Sequence, residues 1–311
     1  MPRAARARGA AGEWLLAAAI AAAVFVLFHF QGNASSVAME GRSVFLWLWR
    51  QWTHPGGDFS HVWLMPLISL GLVLRQAREL RAAPKAASRA GLALTALLVL
   101  LHVAAVRAQQ PRVSALALAG LTWSIPLALY GWPAARRLLF PCAYLALAVA
   151  SYFLVSLTFQ LRLFASAISA GTLNGIGIAA RRNGTAIYSA AGGGFHFDVA
   201  DPCSGLRSLV VMTALAAPYA WLTQKTPAKK WLLFALAVPL AVLANTARIV
   251  TVALVAQWFG RESAIKTYHD YSGYIVFVVA VLLLLGADRL INVNYRERWR
   301  QWQQRAAKPA S

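Results

Sequence analysis

Eight apolar stretches, each approaching the length of a membrane span, constrain this 311-residue chain more than any other feature. They are Trp14–Phe30, Phe59–Leu74, Gly91–Val106, Ala115–Tyr130, Leu138–Thr158, Ser204–Leu222, Trp231–Gln257 and Gly273–Ile291. A hydrocarbon core about 30 Å thick takes ~20 mostly apolar residues per helix, with roughly 17–25 tolerated. The expected fold is therefore all-α: a polytopic integral membrane helical bundle of about eight transmembrane helices. The second, third and fourth stretches are short, so their ends are the least sharply marked. Composition agrees. Hydrophobic residues are 59% of the chain and charged residues 13%, against roughly 25% charged in soluble domains. Two soluble domains and a disordered chain are excluded, and two cysteines exclude a disulfide framework.

The few charges are lopsided: 30 Lys and Arg against 10 Asp and Glu, for a formal charge of +20. In a soluble protein that excess would point to nucleic acid; here the positions of the charges decide. With the N-terminus inside, the inner segments hold Arg3, Arg6 and Arg8, then Arg75, Arg78, Arg81, Lys85 and Arg89. Arg136 and Arg137 follow, then Lys225, Lys229 and Lys230, and a tail with Arg289, Arg296, Arg298, Arg300, Arg305 and Lys308. Nineteen of the 30 cations are thus inside, while Glu40, Asp58, Asp198, Asp201, Glu262 and Asp270 are outside. The positive-inside rule then gives an N-in, C-in topology. No nucleic-acid partner is expected; the cations meet lipid headgroups. Trp14, Trp132, Trp221 and Trp231 fall at inner span ends and Trp63 and Trp258 at outer ones, as an aromatic belt requires.

This divides the chain into a basic cytoplasmic N-terminus (1–13), a transmembrane domain (14–291) and a basic cytoplasmic tail (292–311). The first span resembles a signal peptide, but its length and the seven spans that follow mark it as a retained anchor. Ser43–Trp52 is too short to span and reads as an interfacial helix. The longest outer loop, 159–202, contains an amphipathic run, turn signals at Asn183-Gly184 and Gly192–Gly194, and a short alternating strand at Phe195–Val199.

Ionisable groups at membrane depth mark function by default. Arg248 lies 17 residues beyond Trp231, about 25 Å along a helix and so near the outer edge of the core. Asn245 shares its face. The bland alternative is an arginine that snorkels to the surface. Asp201-Pro202 is a helix-start signal, with Asp201 as N-cap, which puts Cys203 in the first turn of the sixth span. Helix N-terminal N–H groups lower a thiol pKa, and Arg207 one turn on does likewise, whereas Asp201 opposes them. The alternative, a cysteine that merely suits helix packing, fits Cys142 in the apolar fifth span better than Cys203. His269, immediately before the eighth span, can move protons near neutral pH, or it is an ordinary solvated loop histidine. Cys203, Arg248 and His269 come from three spans, and the topology puts them at one depth. Thiol, cation and imidazole are the parts of a cysteine acyl-transferase.

The ordered elements Pro202-Cys203-Ser204-Gly205-Leu206-Arg207, Asn245-Thr246-Ala247-Arg248-Ile249, and His269 with Gly273 four residues on resemble the exosortase/archaeosortase family. Phe59-Ser60-His61 is similar to that family's outer-loop pattern. The resemblance implies a membrane-embedded cysteine protease/transpeptidase with Cys203 as nucleophile, Arg248 as stabiliser and His269 as proton shuttle. It implies cleavage of a C-terminal sorting signal from exported proteins through a thioacyl intermediate and transfer to a cell-surface acceptor. It also implies a multi-pass protein of the bacterial inner membrane with its site facing the periplasmic side. No cofactor is implied. Two rivals stand beside it. His196, Asp198, Asp201 and Cys203 crowd together with ligand types that suit zinc in a membrane hydrolase. A transporter would instead spread polar groups along broken spans, at Pro66, Pro126, Pro141, Pro218 and Pro239. His61 is a further candidate to line the site from the second span.

Overall fold

The computed structural model describes residues 3–32, 43–53, 59, 61–150, 155–190, 195–198, 206–260 and 269–293. The chain divides into two compact units, Met1–Phe153 and Leu154–Ser311.

The first unit runs α1 (Arg3–Phe30), α2 (Val44–Thr53), α3 (Leu64–Arg75), α4 (Ala77–Ala82), α5 (Arg89–Arg107), α6 (Pro111–Tyr130) and α7 (Trp132–Ala150). The interfacial helix expected at 43–52 is α2. It buries Val44 and Leu48 against Phe28, Ala115 and Leu121 and leaves Trp49 exposed. The α5–α6 pair is a close antiparallel hairpin. Ser88 caps α5 by accepting from Gly91 N at 3.2 Å, and Ser88 N donates to the Ala128 carbonyl at 3.0 Å. Gly91 packs so tightly on α6 that any Cβ there would overlap the Leu127–Ala128 backbone. Further along, Thr95 Oγ1 donates to Ser124 Oγ at 3.0 Å, and His102 Nδ1 meets Ser114 Oγ at 2.6 Å. His102 is buried with its ring 3.8 Å from that of Phe28. Polar side chains inside these helices thus bond across the helix pair, as a low-dielectric setting demands.

The second unit runs α8 (Val155–Gly175), β1 (Ala180–Asn183), β2 (Ala186–Ser189), β3 (His196–Asp198), α9 (Leu206–Thr223), α10 (Pro227–Phe259) and α11 (His269–Asn292). The strands form one antiparallel sheet in the order β1-β2-β3. Asn183 pairs with Ala186, so Gly184 and Thr185 alone make the first hairpin loop. Gly184 has φ +61 and Thr185 does not turn positive, the pattern of a type II′ turn. β3 pairs Tyr188 with His196 and Ala186 with Asp198.

Five described helices are long and apolar enough to cross a membrane: Arg89–Arg107, Pro111–Tyr130, Trp132–Ala150, Pro227–Phe259 and Tyr271–Asn292. Leu15–Phe30, Leu64–Arg75 and Ser208–Thr223 are shorter apolar helices. The chain is a multi-pass membrane protein, and each of the eight apolar stretches overlaps one of these helices. Pro126, Pro141, Pro218 and Pro239 all lie inside helices that continue through them.

Two expectations need correction. The fifth stretch, Leu138–Thr158, is set too late along the chain. α6 ends at Gly131 (φ +75) and α7 begins at once with Trp132-Pro133, six residues earlier, while Val155 already belongs to α8. Hydropathy misses such a start because Arg136 and Arg137 occupy the early turns of α7; Arg137 Nη1 donates to the Pro133 carbonyl at 2.7 Å. The outer segment 159–202 is likewise no simple loop. Its first part completes α8, and a three-stranded sheet follows, so the fold is helical but not strictly all-α.

α10 is the long axis of the second unit. At 33 residues it reaches about 50 Å, well beyond the hydrocarbon core. Its N-terminal part packs Leu233, Ala237, Ala241 and Ala244 against Leu209, Met212, Ala216 and Ala220 of α9 and Ala280 and Leu284 of α11. Its C-terminal part packs Ile249, Val252, Ala253 and Ala256 against Ala165 and Leu173 of α8, and Ala180, Ile187 and Phe195 of the sheet region. Small residues dominate the first cluster and let helix backbones approach closely, the usual membrane solution.

The α5–α6 contact yields a stability test. Gly91→Leu forces the helix pair apart and should cost about 3 kcal/mol, the upper range for overpacking. Gly71→Ala in α3, where a Cβ meets nothing within 4 Å, should be neutral or slightly stabilising. Unfolding of the two variants in detergent measures the difference.

Candidate active site

Two polar ties set the register of α10 against α11. At one end Lys229 Nζ donates to Asn292 Oδ1 at 3.0 Å. Asn292 Nδ2 in turn donates to Asp288 Oδ1 at 2.9 Å. The same carboxylate accepts from Tyr219 Oη of α9 at 2.8 Å and from the buried Gln224 Nε2. At the other end Arg248 Nε donates to Ser272 Oγ at 3.0 Å. Lys229 and Arg248 are 19 residues apart and Ser272 and Asn292 are 20 apart, so the ties are separated by about 29 Å along the helices. That is the thickness of a hydrocarbon core. Arg248 therefore stands about one core thickness along the helix from Lys229 and Lys230.

Arg248 also marks the junction of the two packing clusters, because Ala244 belongs to one and Ile249 to the other. Asn245, one turn earlier on the same face, is 1% exposed, and Ser272 is equally buried. The bond from Nε helps to fix the plane of the guanidinium, and a fixed planar fork is what suits this group to an anion. Gly273 leaves the flank of that group uncrowded: a Cβ there would stand 4.0 Å from Nη2. Ser272 is a participant that sequence reasoning passed over. The available signal was a small hydroxyl in the first turn of an apolar helix, three positions after His269.

His269 is the first residue of α11, so the backbone places it one turn before Ser272. Its side chain, those of Asp270 and Arg207, and the whole segment 199–205 with Cys203 and the expected Asp201 N-cap lie outside the described residues. The elements that bracket Cys203 are described. β3 ends at Asp198, paired with Ala186 beside the hairpin turn, and α9 begins at Leu206. That turn lies against α8, where Ser166 Oγ donates to the Leu163 and Gly184 carbonyls at 2.9 and 3.3 Å. The structure thus brings together Arg248, Asn245, Ser272 and the first turn of α11.

The remaining candidates divide in the same way. Cys142 is buried in α7, with Sγ 3.5 Å from the Thr122 carbonyl, as a packing thiol would be. His196 is exposed on β3, its ring tilted at 6.4 Å from Tyr188. The side chains that would complete a zinc site with it lie outside the described residues. His61 sits in the turn that leads into α3, in the first unit.

The family model described as transmembrane exosortase (Exosortase_EpsH) matches residues 49–286, more than three quarters of the chain. No curated protein and no solved structure matches it significantly.

The Arg248–Ser272 bond is testable by stability alone. Ser272→Ala withdraws one acceptor from a partly buried cation and should cost about 2 kcal/mol, typical of a hydrogen bond to a charged group. Ser272→Thr keeps the hydroxyl and should lie much closer to the parent. Denaturant unfolding in micelles compares the three proteins.

Proposed function

The chain belongs to the transmembrane exosortase family, a group of membrane-embedded, sortase-like processing enzymes that act on exported proteins, and on that premise we propose that it is a cysteine protease/transpeptidase whose site opens on the periplasmic side of a bacterial inner membrane. Eight spans with both termini in the cytoplasm are supported by the alternation of cationic loops and by the eight apolar helices. The observation that carries the catalytic reading is the oriented guanidinium of Arg248, held by Ser272 at the edge of the apolar slab one turn from His269.

In this reading Cys203 is the nucleophile. It is three residues before Leu206, so at most ~10 Å of chain separates it from the start of α9. The α9–α10 hairpin supports a common depth. Thr223 and Pro227 flank its turn, and an equal count up each helix puts Leu206, the first residue of α9, level with Ala244, one turn short of Arg248. The thiolate attacks the scissile carbonyl of the exported protein, forming a C–S bond and an oxyanion that the Arg248 guanidinium stabilises. His269 in its acid form protonates the departing amine as the C–N bond breaks, leaving a thioester on Cys203 and a neutral imidazole. That imidazole then takes a proton from the incoming nucleophile. An acceptor amine gives transfer and water gives a carboxylic acid; in either case the thiolate is released. The severed piece is the C-terminal sorting signal, and the acceptor is at the cell surface.

Three substitutions test the roles through the fraction of an exported substrate processed in cells that hold equal amounts of membrane-inserted enzyme. Cys203→Ala should abolish processing; retained processing in Cys203→Ala or Cys203→Ser sinks the nucleophile assignment. Arg248→Lys should lower the rate by about a hundredfold, since a point charge does not replace a planar fork aimed at an oxyanion. His269→Ala should lose a factor of roughly 10²–10⁴, the usual worth of a positioned proton carrier.

A further inference from the structure

The reaction above uses α9, α10 and α11 and leaves α8 without a role. On α8 the buried positions are Ala165, Ser166, Ser169, Ala170 and Leu173, a stripe at helical spacing that faces α10 and the sheet region. Arg162 lies three, four and seven residues before members of that stripe and therefore heads it. Phe164, on the opposite side of the helix, is exposed. The depth of Arg162 follows from its neighbours. Leu161 packs on the Leu209–Ala244–Ala280 cluster, whereas Ala165 belongs to the Ile249–Ala253 cluster. On α10 the residues between those clusters are Asn245 to Arg248. Arg162 thus stands on the packed side of α8 at the depth of the site.

Its bonding is incomplete. Among the described residues, Arg162 Nε is buried with no hydrogen-bond partner. On the facing stretch of α10, Thr246 is 7% exposed and its Oγ1 likewise has no partner. A buried guanidinium N–H and a buried hydroxyl, each without a partner, are both costly. A planar, bidentate anion is the group that a guanidinium satisfies best.

We propose that Arg162 is a specificity-determining residue that binds a carboxylate side chain of the peptide substrate, with Thr246 Oγ1 as a second donor. The position on the α10-facing stripe, rather than on the Phe164 side, favours a substrate held at the site over a lipid headgroup outside it. The inference rests on the cysteine acyl-transfer reading of the same site.

The test begins with an exported protein whose processing differs between wild-type and Cys203→Ala cells. Each Asp and Glu in the segment before its apolar helix is replaced singly by Asn or Gln. Processing by the full chain in proteoliposomes is then measured with wild type, Arg162→Gln and Arg162→Lys. One amide replacement should raise KM about tenfold on wild type with kcat nearly unchanged, and Arg162→Gln should do the same to the parent substrate. The two losses should not add when combined, because they remove one interaction. Equal turnover of the amide substrate by wild type and Arg162→Gln shows that the variant is folded, and Arg162→Lys should recover part of the loss. Additive losses, a fall in kcat alone, or indifference of wild type to every amide replacement overturns the role of Arg162 while leaving Cys203 intact. A dependence on lipid headgroup charge in place of substrate charge also overturns it. Processing that persists in Cys203→Ala sinks the chemistry itself.

Discussion

An arginine cannot sit in hydrocarbon without partners, and the second unit is arranged around that prohibition. Its polar ties lie at two levels about 29 Å apart, with Asp288 gathering Tyr219, Gln224 and Asn292 at one and Arg248 meeting Ser272 at the other. Between them the helices touch through alanine and leucine. The separation of the ties is close to the thickness of a hydrocarbon core.

The length of α10 exceeds that thickness. Because the helix continues beyond the apolar slab, its C-terminal part supplies a surface for α8 and the sheet. The sheet leads by β3 into the segment that carries Cys203, and α9 receives that segment on its far side. The proposed reacting groups belong to, or adjoin, elements fixed by two different kinds of packing: tight small-residue contacts in one part of α10, and a mixed helix–sheet core in the other.

Much of this was legible in the sequence because apolar length and cation placement report directly on the bilayer. Trp231–Gln257 and Gly273–Ile291 both fall inside the observed helices α10 and α11. Hydropathy failed where helices carry polar turns. Arg136 and Arg137 hid the start of α7, and the amphipathic stretch after Thr158 read as a loop although its stripe of Ala165, Ser169 and Leu173 is that of a packed helix. The strand at His196–Asp198 and the turn at Asn183-Gly184 were visible from alternation and from glycine chemistry, but β1 and β2 were not, because Arg181 and Arg182 break the apolar alternation. Ser272 was within sight and carried no signal of its own. Its importance depends on the register between α10 and α11, which no single-chain pattern encodes.

The central claim is that the carbonyl of an exported protein passes through a thioester on Cys203. Hydroxylamine added to turning-over enzyme in proteoliposomes tests this most directly, because it intercepts a thioester and leaves a hydroxamate. Mass spectrometry of the released protein should find a C-terminal hydroxamate with wild type and none with Cys203→Ala. A product ending only in a free carboxylate, made equally well by Cys203→Ala, would contradict the account.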